Sequence, residues 1–351
     1  MPDQDQNNTI LPDRPRVAVL GLGQMGLVSA AMLADAGFAT VSMWGHTQAE
    51  SDELIQTRRS DRLADFVLPD AVSVSNDPGR ALDCADLIVS AIPVQATRGA
   101  WSSIRGAVPD GSAVVSVAKG IENGTLMRPT QIIADAIADN PDAPARPSAC
   151  LSGPTIAAEL ARGLPATMIA AADTEGLAED LQRIFSTSYM RVYTHDDLLG
   201  VELAGAIKNV IAIAAGILDG LQAGSNAKSA LLARGLAEIA RLGAAMGASP
   251  STFFGIAGVG DLATTCFSPE GRNRQCGEAL GKGISLEQHL KDTGHVVEGI
   301  ATTKSVADLA QRYRVDLPIA SAVHAVLFDG LDPIRAISEL MSRDLKDETV
   351  G

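Results

Sequence analysis

Lys208 is the only charged residue between Glu202 and Asp219, in the stretch LAGAIKNVIAIAAGILDG, which is apolar on almost every side. A helix of that composition expects burial, where a lone ammonium costs several kcal/mol unless partners or a ligand compensate. Burial also lowers an amine's pKa toward the range where it exchanges protons, so the chemistry on offer is general acid and base work. A lysine whose stem packs while its head reaches water fits the same pattern, and this helix alone leaves both readings open.

Other segments carry groups of matching chemistry. Lys119 ends the apolar run SAVVSVAKG, and strand ends are where doubly wound sheets bind ligands. Gly153 and Thr155, in Ser152-Gly153-Pro154-Thr155, lie between a strand-like run and a helical one, so their backbone N–H groups are placed to hold an anion or a cofactor. The richest segment is Gly258-Val259-Gly260-Asp261, followed by Thr264, Thr265 and Gly271-Arg272-Asn273-Arg274. Gly271, Arg272 and Asn273 at a helix start offer a guanidinium fork, an amide and free N–H groups, the equipment for a phosphate monoester. Asp261 is able to hold Lys208 or accept a substrate hydroxyl. A solvated lysine, a plain helix start and surface arginines remain the alternatives for each segment taken alone.

A second chemistry is written near the start. RVAVL runs into Gly21-Leu22-Gly23-Gln24-Met25-Gly26, then a helical stretch, then ATVSMW. G-x-G-x-x-G means little by itself, but between a strand and a helix it predicts a pyrophosphate site: Gly21 for the turn, Gly23 for close approach, Gly26 for helix packing. The end of the next strand carries Trp44-Gly45-His46 with no carboxylate before Glu50, so NADP(H) is expected to be accepted at least as readily as NAD(H). His46 is a candidate for the adenine or the 2′-phosphate, and Pro93, closing the run DLIVSAI, lies where the cofactor is expected to pass. Each also reads as an ordinary loop residue or helix start.

The elements that must position these groups divide the chain. Eight β-type runs, RVAVL, ATVSMW, AVSVS, DLIVSAI, SAVVSVAKG, SACLSG, ATMIAA and MRVY, alternate with helical stretches from Arg16 to about Tyr193. That alternation predicts a largely parallel, doubly wound sheet of Rossmann type. After His195 helices alone are expected, at 197–222, 226–246, 272–281, 298–313, 318–328 and 332–341. The expected organisation is a disordered arm over 1–15, a dinucleotide-binding domain over 16–194, an all-α substrate domain over 195–342 and a polar tail over 343–351. At 351 residues two domains are also the expectation from size.

A formal charge of −14 argues against nucleic acid or an anionic membrane as the main partner, so a small anionic substrate requires a local basic pocket. Val210 to Leu218 is about half a membrane span, and no membrane insertion is expected. The polar start shows no secretory signal, and Cys84, Cys150, Cys266 and Cys276 are scattered, which fits thiols in a reducing cytoplasm. The five histidines form no metal-ligand pattern, so no metal is expected. A homodimer is admitted by the sequence without being required.

Taken in order, VLGLGQMG, WGH, AKGIE, SGPTIAAE, GAIKNVIAIAAGILDG, NAKSALLARGLAEIARLG, GVGDLATTC, GRNR and VVEG resemble the bacterial-type NAD(P)-dependent sn-glycerol-3-phosphate dehydrogenases, from about Arg16 to about Leu340. The resemblance implies reduction of dihydroxyacetone phosphate to sn-glycerol 3-phosphate with NADPH or NADH, for glycerophospholipid synthesis. It implies Lys208 as the proton-transfer residue, and Lys119, Gly153, Asp261, Arg272 and Asn273 at the substrate. At the cofactor it implies Ala157, Arg272, Val296 and Glu298, and we group Lys119 with them. Two positions depart from the bacterial pattern: Gln24-Met25 replaces a small residue and an aromatic, and Gly271 replaces a serine, as in eukaryotic relatives. Rival readings are another β-hydroxyacid or phosphogluconate-type dehydrogenase, against which GRNR speaks, and a catalytically silent NADPH-binding regulator, which needs no paired lysines.

Overall fold

The computed structural model describes residues 9–37, 39–138, 146–294, 296–344 and 347. The chain divides into two compact units, Met1–Ala118 with Thr130–Leu198, and Lys119–Pro129 with Leu199–Gly351.

The first unit runs β1 (Arg16–Leu20), α1 (Gln24–Ala36), β2 (Thr40–Trp44), α2 (Gln48–Thr57), β3 (Ser73–Ser75), α3 (Pro78–Ala81), β4 (Leu87–Ser90) and α4 (Val94–Ile104). It continues with β5 (Ala113–Ser116), α5 (Pro129–Ile137), β6 (Ser148–Ser152), α6 (Ala157–Ala161), β7 (Ala166–Ala172), α7 (Leu177–Phe185) and β8 (Met190–His195). All eight strand-like runs form strands, in the sheet order β3-β2-β1-β4-β5-β6-β7-β8. The sheet is parallel except where β7 runs antiparallel to β6. Both faces are covered, so β4 and β5 are buried at every position. Side chains alternate across the sheet: Val17 and Val19 join the core containing residues of α1 and α7, whereas Ala18 and Leu20 join the one containing Trp101 and Ile104.

The disordered arm expected over 1–15 needs correcting for residues 9–15. The Oδ2 atom of buried Asp180 accepts the backbone N–H groups of Ile10 and Leu11, each at 2.7 Å, and Arg183 donates to the carbonyls of Asp13 and Pro12. A buried carboxylate needs donors and Leu11 fills the core below it, so this stretch is tied down. Residues 1–8 lie outside the described residues.

The second unit contains α8 (Leu198–Gly220), α9 (Gly224–Ala245), a 3₁₀ turn (Pro250–Phe254), a π-type turn (Ile256–Gly260), α10 (Asp261–Phe267), α11 (Arg272–Gly281), α12 (Leu286–Thr293), α13 (Glu298–Tyr313), α14 (Pro318–Phe328) and α15 (Pro333–Met341). The sequence reading has no counterpart for α10 or α12. The first is entered through a glycine-rich stretch and buries only Leu262 and Cys266 beside Asp261, and the second buries only His289, so both are too short to show a sustained helical period. The division between the units falls after Leu198 rather than near 194, and the second unit also draws in residues 119–129. Ile121 is fully buried in the helical core, its carbonyl accepts Ser305 Oγ at 3.1 Å, and Arg128 forms an ion pair with Glu202.

By length and composition α8 is apolar enough to cross a membrane, but 94% of its most apolar window is buried inside the protein. It is the core helix of this unit. Helix α11 packs on it through glycines: a Cβ at Gly216 would lie 2.7 Å from Glu278 N, and one at Gly277 would lie 2.9 Å from Ile217 N. Only bare backbones approach so closely, and this crossing fixes α11 against the C-terminal part of α8.

Candidate active site

Lys208 sits mid-helix in α8 and is 5% exposed. Its ammonium donates to Asp261 Oδ1 at 2.8 Å and to Thr265 Oγ1 at 2.6 Å. Lys119 reaches the other oxygen of the same carboxylate, Asp261 Oδ2, at 2.7 Å. Asp261 opens α10 directly after the π-type turn, an irregular winding of the kind that recurs at functional sites. Two ammonium groups on one buried carboxylate leave a local excess of positive charge in a chain whose formal charge is −14.

Burial pushes Lys208 down from its ordinary value to about 8, a shift that the Asp261 carboxylate opposes and the Lys119 charge reinforces. Burial alone would raise Asp261, but Lys119 and then Lys208 hold it below the usual carboxylate value. The result is a carboxylate held toward its ionised form beside an ammonium that gives up its proton more easily than an ordinary lysine.

Asn209 and Thr265 are the groups whose roles the sequence reading missed. Asn209 follows Lys208 in α8; its Nδ2 donates to the Lys119 carbonyl at 3.4 Å, and its Oδ1 accepts Asn273 Nδ2 at 3.0 Å. Asn273 Oδ1 in turn accepts Gly299 N at 2.9 Å, so one amide chain ties Lys119, α8, α11 and α13 together. The available signal was a second polar residue in an apolar helix. Thr265 donates to its own helix at Asp261 O, 2.7 Å away, which leaves its oxygen facing Lys208.

The GRNR segment separates into two tasks. Arg274 is held by Asp219 on α8 at 2.7 Å, and Asp219 also pairs with Lys228, so this arginine is structural. Arg272 is exposed, with Nη1 3.3 Å from the Val296 carbonyl, one residue before Val297, the N-cap of α13, which Glu298 opens. Gly271 is the N-cap of α11, which has no side-chain cap and no acidic residue in its first turn.

In the first unit Gly21 has φ +105°, and its N–H donates to the Trp44 carbonyl at 2.9 Å. A Cβ at Gly26 would overlap the Gly21 carbonyl, whereas one at Gly23 would meet nothing within 4 Å. Helix α1 begins with neither a side-chain cap nor an acidic residue in its first turn. Open space before a bare helix N-terminus fits a dinucleotide pyrophosphate. Gln24 Nε2 donates to the Arg62 carbonyl at 2.6 Å, while Met25 packs against the core. His46 is exposed, edge-on to Trp44 at 5.8 Å, and Pro93 caps α4. Gly153 takes φ +136°, Thr155 Oγ1 donates back to its carbonyl at 3.2 Å, and buried Ala157 opens α6.

A sheet turned on glycine for a dinucleotide and a unit holding paired lysines on a buried aspartate define a nicotinamide-dependent dehydrogenase. Residues 16–178 match the model for the N-terminus of NAD-dependent glycerol-3-phosphate dehydrogenase, and residues 197–338 match the model for its C-terminus. The chain belongs to the NAD-dependent glycerol-3-phosphate dehydrogenase family. It is 42% identical over 333 residues to glycerol-3-phosphate dehydrogenase (NAD(P)+) 1 of Salinibacter ruber, covering 95% of this chain and 96% of that one. It is 43% identical over 335 residues to the Prosthecochloris aestuarii enzyme, covering 95% and 99%. Among solved structures, glycerol-3-phosphate dehydrogenase from Coxiella burnetii is similar at a TM-score of 0.88 and 32% identity, over 95% of this chain and all of that one.

Proposed function

We propose that the lysine pair on Asp261 carries the reduction of dihydroxyacetone phosphate to sn-glycerol 3-phosphate, the backbone of glycerophospholipids. The observation that supports it most is the arrangement of Lys119 and Lys208 on the two oxygens of one buried carboxylate, at 2.7 and 2.8 Å. Bound NADPH or NADH supplies the hydride for the C2 carbonyl. Lys208 donates the proton to the alkoxide developing at C2, and takes it back in the reverse direction. Lys119 polarises and positions the carbonyl, Asp261 holds both ammonium groups in place, and Arg272 with Asn273 anchors the phosphate at the bare start of α11. Binding energy from that nonreacting phosphate orients the carbonyl for reduction. Gly153 is assigned to the substrate and Ala157, Val296 and Glu298 to the cofactor as the family resemblance implies, and Thr155 joins the substrate set from its place just before the helix that follows Gly153.

NADPH absorbance should fall on adding dihydroxyacetone phosphate. A chain that instead oxidised 6-phosphogluconate or a β-hydroxyacid would refute the assignment. Four free thiols, three of them buried, support a reducing cytoplasm as the compartment. A homodimer is proposed on general grounds, two-fold pairing being the commonest assembly of soluble enzymes.

Arg272→Ala should cost about 2–4 kcal/mol in kcat/KM for dihydroxyacetone phosphate, through loss of a charge-assisted bidentate contact. Steady-state kinetics decide it, and an unaltered kcat/KM would remove Arg272 from the phosphate site. The pH dependence follows from Lys208. With its value near 8, the ammonium needed for reduction is present below that pH and lost above it. Reduction should therefore be level up to about pH 8 and then fall, while glycerol 3-phosphate oxidation rises through the same range. A reductive rate that stayed flat to pH 10 would exclude Lys208 as the acid.

A further inference from the structure

Beyond the end of β2 the first carboxylate is Glu50, in the first turn of α2, and Arg62 holds it in an ion pair. Thr47 caps that helix by accepting Glu50 N at 3.4 Å, and its hydroxyl lies 3.3 Å from Glu50 Oε2. The turn bearing Arg62 is fastened to the glycine turn by the Gln24 side chain, which donates to the Arg62 carbonyl at 2.6 Å. Leu22, from the middle of Gly21-Leu22-Gly23, lines one cavity of about 170 Å³ with Glu50, Arg59 and Arg62. That volume is below the roughly 300–1,000 Å³ of a site for a whole small ligand, and suits one edge of a larger molecule.

In sheets of this order the ribose nearer the adenine lies beyond the carboxyl end of the second strand, beside the glycine turn. A carboxylate there accepts the ribose 2′-hydroxyl, and a guanidinium accommodates a 2′-phosphate. This cavity carries both. Its charged lining sets Glu50, Glu53 and Asp61 against Arg59 and Arg62, so neither sign excludes the other form of the cofactor. The Arg62 and Glu50 side chains are 56% and 42% exposed, and an ion pair so wet exchanges partners at little cost.

We propose that the Glu50–Arg62 pair reads the 2′ position of the cofactor: Glu50 accepts the 2′-hydroxyl of NADH, and Arg62 leaves Glu50 to take the 2′-phosphate of NADPH. The pair, held by Gln24, thereby sets the balance between the two cofactors. The inference rests on the dehydrogenase reading above and assigns its cofactor selectivity to named side chains.

Fluorescence titration of the full chain with NADPH and with NADH tests it, in the parent, Arg62→Ala and Glu50→Gln, with melting temperatures recorded for each. Arg62→Ala should lower the NADPH:NADH affinity ratio about tenfold or more, the scale of one lost charged hydrogen bond, and Glu50→Gln should raise it. A ratio that stays within about twofold of the parent in both folded variants would overturn the proposal, on the same scale. A parent that binds both cofactors but does not oxidise them with dihydroxyacetone phosphate would refute the reaction, and the ratios would still decide the pair. A parent that binds neither overturns both.

Discussion

Lys208→Met should fold as stably as the parent or more so, still bind NADPH, and be almost inactive. Loss of general acid catalysis costs about 10²–10⁴ in rate, and loss of the charge facing the alkoxide adds to it. Stability survives because Asp261 is not orphaned: Lys119 still holds Oδ2 at 2.7 Å. Methionine fills much of the same volume without a charge to desolvate. In the parent the folded state holds Lys208 near 8 against an ordinary 10.5, so the ammonium is disfavoured by folding, by about 3 kcal/mol at neutral pH. The unfolded chain binds the extra proton between those values, so this cost is relieved as pH rises from about 8 to 10.5. The stability advantage of Lys208→Met over the parent should therefore shrink across that window, which thermal melts at stepped pH would register. An unstable variant with near-normal turnover per folded molecule would make Lys208 structural and move the proton donor to Lys119.

What the sequence made legible follows the strength of local periodicity. Eight short apolar runs alternating with helical stretches admit little besides a wound parallel sheet, and each became a strand. Lys208 stood out because an apolar helix offers one ammonium nothing in its own segment to pair with. Its partners were harder to assign, since Asp261 and Thr265 lie on a short helix entered through glycines, and pairing across 53 and 57 residues leaves no periodic mark. Residues 119–129 are too short to show a pattern, yet Ile121 belongs to the helical core rather than to the sheet unit before it. Residues 9–15 read as a polar arm because the donors they offer are backbone N–H groups, and only the fold reveals the buried Asp180 carboxylate that needs them.

Asp261→Asn is expected to do the opposite of Lys208→Met: it should lose activity and stability together. Asp261 is 2% exposed and is the shared counterion of two ammonium groups. The amide has nearly the same shape but no charge, and its NH₂ would face an ammonium, donor against donor. Removing one partner of a buried ion pair typically costs about 3–5 kcal/mol, and here a single change uncompensates two charges. Denaturant melts at pH 7 should show a loss of that order. Lys208 should fall further below its present value near 8, because the carboxylate that opposes the effect of burial is gone. The descending limb of the reductive pH profile should then move to lower pH, while the lost stability returns as pH rises and the lysines shed their protons. A merely structural aspartate would lower stability without moving that limb. If the folded Asn variant kept the parent's pH profile, Asp261 would not be what tunes the proton donor, and the pair would have to be explained by Thr265 and burial alone.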